Sequence, residues 1–397
     1  AGTFTGSGGG VVQLSSGRFG IDSGGATFNF PAGLLQWSGG TFFSQPLTNT
    51  GVITLWGSDV KDLNNQLINT GTIIHSGTGD LVLGGGTVNN QASGLYDFRA
   101  NVQIIGNSGT LNNSGILRKS AGSGESRLGT PDPNPGNSSF NFNNTGGTID
   151  VQHGTINLAS GGISTGGVFN AAAGGVLKIT GNLAITGVYT GAGTGRIDFA
   201  GGSLLPCDTG IPGASATFNF PKGLFHWTGG EISGGISGIG IGSAAVLNNL
   251  GFISMDGPNT KSIRRNTIVN FGTIIDAGPG DLLLHGIDDF GTSAIDNRAG
   301  ATFEFQGDAL IDELPGNKGI FINAGTVKKT SGTGIAEIDG TFNSTAAGLI
   351  DVESGHLRLG NGGLFTGGAF NVAAGSVLEF GLASGYFTML GTYTGSG

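Results

Sequence analysis

Apolar and polar residues alternate along this chain in short runs, each closed by Asn or Gly. GVITLW at 51–56, GTIIHS at 71–76, DLVLG at 80–84, GILRKS at 115–120, GTINLAS at 154–160 and VLKITG at 176–181 share the pattern. A period of two places successive side chains on opposite faces of an extended backbone, which the β-branched residues favour. The runs therefore predict strands of about three to six residues. Asn49, Asn69, Asn89 and Asn112 stand at the corners between runs, 20, 20 and 23 residues apart. A step of about twenty residues suits one coil of a parallel β-helix with two or three strands per coil. One coil cannot bury its apolar face alone, but stacked coils share a continuous core. Asparagine at a corner tolerates left-handed dihedrals and can bond nearby backbone, and stacked asparagines can bond from coil to coil.

A longer repeat encloses this short one. ATFNFPAGLLQWSGG at 26–40 is answered by ATFNFPKGLFHWTGG at 216–230, and INTGTIIHSGTGDLVL at 68–83 by VNFGTIIDAGPGDLLL at 269–284. GTFTGSG at 2–8, GVYTGAG at 187–193 and GTYTGSG at 391–397 share one phase. The expected division is a first unit at 1–186, a second at 187–390 and the start of a third at 391–397. No stretch rich in Pro, Ser or charge separates the units near residue 190, so they are expected to continue one rod. A β-propeller would repeat near 40–50 residues per blade. Tandem β-sandwiches would show longer alternating strands. The fold class expected is all-β, a parallel β-helix (β-solenoid) with tandem long repeats.

LTNTGVITL, LINTGTIIHSG, TLNNSGILRKS, FNNTGGTIDV and FINAGTVKKTSG are variants of N–x–G–x–I or N–x–G–x–V, recurring from about residue 47 to 360. In these strings the chain resembles the β-helical stalks of bacterial filamentous-haemagglutinin-like adhesins and autotransporter-type passenger regions. The resemblance implies export to a bacterial cell surface or extracellular matrix, with an adhesive or scaffolding role. Extracellular glycans or cell-surface proteins are the partners such a role implies, and the shared phase at residues 2, 187 and 391 fits self-association into fibres as well as continuation of a longer chain.

Composition narrows this reading. Glycine supplies 82 of 397 residues without a three-residue period, and eleven prolines are too few for collagen. A hydrophobic fraction of 37% with 25 phenylalanines argues for a buried core. The formal net charge of -9 is thinly spread and gives no basic footprint for nucleic acid. No apolar run is long enough for a membrane-spanning helix. Cys207 is the single cysteine and cannot form an internal bridge.

Candidate chemistry is sparse. Asp80 and Asp281 occupy matching Gly-rich turns and are candidate calcium ligands, against the plainer role of a turn Asp bonding local amides. Asp150 and Asp351 are also matched and are expected to face solvent. Asp288, Asp289 and Asp296, with Glu304, Asp308, Asp312 and Glu313 nearby, are where a glycan-cleaving carboxylate pair would lie. Trp37 and Trp227 are equivalent and are candidate sugar-stacking platforms, against a role in core packing. His75 is matched by Asp276 and His226 by Gln36, exchanges that suit exposed positions. No cofactor motif is present. The expected function is an extracellular structural or adhesive stalk without turnover of its own, the alternative being a β-helical polysaccharide-degrading enzyme.

Overall fold

A computed structural model describes residues 2–106, 108–129, 140–206, 215–234, 245–285, 293–313, 319–381 and 385–397. The chain forms two compact units: Ala1–Leu183 with Thr190–Ile197, and Ala184–Tyr189 with Asp198–Gly397. Each unit is a parallel β-solenoid, and in each the coil is built of three strands.

In the first unit, Leu47–Asn49, Gln66–Asn69, Thr87–Asn90, Thr110–Asn113 and Asn141–Asn144 pair in parallel as one face. Val52–Leu55, Thr72–His75, Leu95–Phe98, Ile116–Lys119 and Thr148–Val151 form the second. Lys61–Asn64, Leu81–Leu83, Gln103–Ile105, Glu125–Leu128 and Thr155–Leu158 form the third. The second unit repeats the plan. Ala245–Asn249, Asn266–Asn270, Ala294–Asn297, Ile320–Asn323 and Thr341–Ser344 make its first face. Its second face runs from Phe252–Met255 through Thr273–Asp276, Thr302–Phe305 and Thr326–Lys329 to Leu349–Val352.

Alternate residues of these strands point inward and stack in rows. Leu47, Leu67, Val88, Leu111 and Phe142 lie in register on successive coils, all buried. Burying each such side chain contributes roughly 1.5–3 kcal/mol. In the second unit Phe321 and Phe342 stack with centroids 5.3 Å apart, and Phe342 and Phe365 follow at 5.7 Å.

The N–x–G string now has a structural meaning. Its Asn turns inward, the middle residue faces out, and the Gly lies against the corner of the neighbouring coil. A Cβ on Gly71 would sit 2.2 Å from Gly51 O, and one on Gly272 would sit 2.2 Å from Gly251 O. Close approach of stacked backbones, rather than a left-handed dihedral, selects glycine there.

Two expectations are corrected. The left-handed non-glycine residues among the described residues are Ser44, Ser108 and Arg265, so the corner asparagines do not serve by adopting that conformation. Most coils also exceed twenty residues. Inward asparagines on successive coils are 20, 21, 23 and 31 residues apart in the first unit, and 21, 27 and 26 in the second. The corners absorb the extra chain while strand pairing stays in register.

Candidate functional site

The corner between the first and second faces carries a buried amide ladder. Asn49 Nδ2 donates to Asn69 Oδ1 at 2.8 Å, Asn69 to Asn90 at 2.7 Å, Asn90 to Asn113 at 2.8 Å and Asn113 to Asn144 at 2.8 Å. The second hydrogen of each Nδ2 reaches a backbone carbonyl of the next coil, as from Asn69 to Leu95 O at 3.1 Å. The second unit repeats the device through Asn249, Asn270, Asn297 and Asn323 at 2.8, 2.8 and 2.9 Å. Each ladder has a direction, with Asn49 Oδ1 and Asn249 Oδ1 left without a donor at its head. Phe28 and Phe218 occupy the preceding coil at these positions and have no hydrogen to give. The inward members are Asn90 and Asn113. Asn89 and Asn112, the pair singled out by spacing, face outward, because one residue along a strand reverses the face.

Buried lysines hold the other corners. Lys61 is fully buried and donates to Asp59 O at 2.8 Å and Gly79 O at 3.2 Å. Lys261, its counterpart, donates to Asn259 O at 3.2 Å and Gly280 O at 3.3 Å. Lys119 reaches Ala100 O at 3.0 Å, Asn101 Oδ1 at 3.2 Å and Ser126 Oγ at 2.9 Å. Lys329 reaches Gly307 O at 2.8 Å, Asp308 Oδ1 at 2.7 Å and Ser331 O at 2.9 Å. Each ammonium gathers turn oxygens that the sheets leave unpaired, so a resident cation satisfies the corner. Burial lowers the Lys61 and Lys261 pKa values, with nearby aspartates opposing it, and brings Lys119 down to about 8.

His75 and Asp276 were expected at exposed positions, and both are buried. Each is the last inward residue of its strand, next to the lysine corner. His75 is held on both ring nitrogens, by Tyr96 Oη at 3.0 Å and Gly79 O at 2.9 Å. Burial drives its pKa down to about 4, helped by Lys61 and opposed by the Gly79 contact. Neither oxygen of Asp276 has a hydrogen-bond partner. Burial raises the Asp276 pKa to about 7, with Lys261 opposing and Asp281 reinforcing the rise. The Gly278 amide lies near enough to lower the Asp276 pKa slightly, but its N–H is directed to Met255 O at 3.2 Å. His226 is half-buried, with Nδ1 2.8 Å from Asp256 Oδ2 and Nε2 3.0 Å from Gly223 O.

Asp80 and Asp281 are brought beside these corners. Asp80 Oδ1 accepts the Gln103 amide at 2.7 Å, and its charge acts on Lys61. Asp281 accepts the Lys261 amide through its carbonyl at 2.9 Å and faces Lys261 and Asp276. Among the described residues, no group of three His, Cys, Asp or Glu is arranged to hold a metal ion.

Trp37 and Trp227 are 1% and 0% exposed, so neither indole offers a face to a sugar ring. Trp37 packs edge-on against Phe42 with centroids 4.8 Å apart and donates to Gly39 O at 3.0 Å. Trp227 stacks with Phe199 at 6.1 Å, and its Nε1 has no hydrogen-bond partner.

Of the enzyme candidates, Asp288 and Asp289 lie outside the described residues, as does Cys207. Asp296 is 9% exposed and paired with Arg298 at 2.7 Å. Glu304 contacts Lys328 at 3.4 Å, and Asp308 pairs with Lys329. Asp150 and Asp351 stand in matching outward rows: Asp97, Arg118, Asp150 and Asn170, then Glu304, Lys328, Asp351 and Asn371. Asp97, at the head of the first row, is 2% exposed and paired with Arg99. Among the described residues, no helix is long and apolar enough to cross a membrane. Comparison with protein-family models, curated proteins and solved structures returns no match for this chain.

Proposed function

We propose that this chain is a structural or adhesive stalk of a bacterial surface or extracellular matrix, presenting repeated weak contacts along stacked coils. One observation carries the reading: what the two units retain in common is coil-building apparatus. The inward asparagines, the paired lysines Lys61 and Lys261 and Lys119 and Lys329, and the buried tryptophans all recur. The histidines do not, since His75 becomes Asp276 and Gln36 becomes His226. Repetition of a stable coil supplies length and multivalency without a catalytic centre in each copy.

Incubation of the chain with a panel of neutral and anionic polysaccharides, with products and retention both measured, tests the proposal. Retention without cleavage is the expected result. Cleavage of any member overturns it.

One pair favours the enzymatic alternative. Asp312 and Asp339 lie on adjacent coils, next to the paired residues Ile311 and Ile338. Burial raises the Asp339 pKa, and the Asp312 charge adds to the rise. Two neighbouring carboxyls, one with its pKa raised, are the starting arrangement for acid-assisted glycoside cleavage. Loss of cleavage in Asp339→Asn would place turnover there.

A further inference from the structure

The first face of the first unit differs in chemistry from every other described face. Its five strands, LTN, QLIN, TVNN, TLNN and NFNN, contain no charged residue. Gln66, Thr87 and Thr110 form one outward row in register. Asn89, Asn112 and Asn143 form the adjacent row.

The outward asparagines are preoriented. Asn112 Nδ2 donates to Asn89 Oδ1 at 2.7 Å, and Asn143 Nδ2 to Asn112 Oδ1 at 2.9 Å. An amide has two N–H donors and two acceptor lone pairs. A step of this ladder uses one of each, so a linked amide retains a donor and an acceptor for solvent or a ligand. The threonine hydroxyls beside it both donate and accept. Successive coils repeat the set at the interstrand spacing of about 4.8 Å. Side chains already fixed by their neighbours lose little freedom on binding. The corresponding face of the second unit does not preserve this surface: Val269, Asp296 and Ile322 stand at the positions of Asn89, Asn112 and Asn143, and the first two are buried.

We propose that the outward Asn–Thr rows of the first unit bind an uncharged polysaccharide lying along the stacking direction. Alternating donors and acceptors match a polymer whose hydroxyls do both, and the lack of charge matches a ligand without carboxylate or sulfate. This inference rests on the adhesive reading and names its ligand class and surface. Single contacts of this kind compete with water, so affinity comes from several coils acting together.

The test is co-sedimentation of the full chain with insoluble cellulose and chitin, and with calcium alginate beads as an anionic probe. Asn112→Asp places a charge in the row and removes a ladder donor, while Thr110→Val removes a hydroxyl with little change of shape. Circular dichroism and melting establish that each variant is folded. Retention on a neutral polymer is expected, unchanged in high salt because no ion pairs form. Each variant is expected to weaken it by about tenfold. Failure of both neutral polymers, retention on alginate alone, or wild-type binding by both variants overturns the inference. A salt-resistant dimer lost in Asn112→Asp also overturns it, by assigning the rows to a second copy. Adhesion of the chain to cells lacking neutral surface glycans would leave the stalk reading standing while this inference failed.

Discussion

The Tyr96 hydroxyl lies 3.0 Å from His75 Nδ1 in the interior of the first unit. Gly79 O, 2.9 Å from Nε2, can only accept. Nε2 therefore carries a proton, and since burial keeps the ring neutral at neutral pH, the tyrosine donates to Nδ1. In the second unit Asp276 stands at the histidine position and Phe303 at the tyrosine position, so the donor is lost with the ring that used it.

The two corners should respond oppositely to pH. His75 has a folded pKa of about 4, below its ordinary 6.5, so its contribution is present above 6.5 and lost as pH falls through 4. The full contribution is on the order of 3 kcal/mol. Asp276 has a folded pKa of about 7 against 3.8, so its contribution is full below 3.8 and lost as pH rises through 7. Hydrogen exchange, corrected for its intrinsic pH dependence, should show residues 72–83 losing protection between pH 6.5 and 4 while residues 273–285 gain it. Asp276→Asn should abolish the second trend and leave the first unchanged.

The inward ladder should be far less tolerant than the outward one. Asn69→Asp removes the donor to Asn90 Oδ1 and Leu95 O and buries a carboxylate, for a cost of about 3–5 kcal/mol. Asn89→Asp, on the half-exposed side, should cost less than about 1 kcal/mol. Urea unfolding of the two variants measures the difference, and equal midpoints would contradict the inward assignment.

Adjacent lysines offer the same contrast. Lys329→Met strips an ammonium from three oxygens at 2.7–2.9 Å and should destabilise by about 3 kcal/mol. Lys328→Met faces outward, breaks one contact at 3.4 Å to Glu304 and should cost less than about 1 kcal/mol. Thermal melts followed at the β-sheet circular dichroism band compare them.

Tryptophan fluorescence should divide two to one. Trp56 is 49% exposed, whereas Trp37 and Trp227 are buried. In Trp56→Phe the remaining emission should be blue-shifted and resist acrylamide, with no change on adding glycans. Strong quenching in that variant would put the paired indoles at the surface.

Much of this was legible in the runs themselves. Alternation located the strands at Val52–Leu55, Thr72–His75 and Ile116–Lys119, and asparagine spacing announced the stack. The phase of the polar residues was harder. Counting inward from Val88 and Leu111 selects Asn90 and Asn113, and counting from Leu63 selects Lys61, yet the cost of burying polar groups argues for the opposite side. What reverses that argument is supplied by other coils: the Oδ1 of the next asparagine, or the turn carbonyls that surround a lysine. Such acceptors come together only once the coils stack, so strand periodicity alone does not reveal them. Coil length was obscured for a related reason, because corners differ in size without disturbing the pairing.

The same 2.8 Å amide bond closes a 20-residue step from Asn49 to Asn69 and a 31-residue step from Asn113 to Asn144. Insertions and deletions are therefore judged by parity rather than by size. A loop of any length at a corner leaves every side chain on its own side of the wall. A single residue added within Thr110–Asn113 would turn Leu111 out and Asn112 in. Such a chain can diversify freely at its corners, and can grow by whole coils, while its strands keep an invariant reading frame.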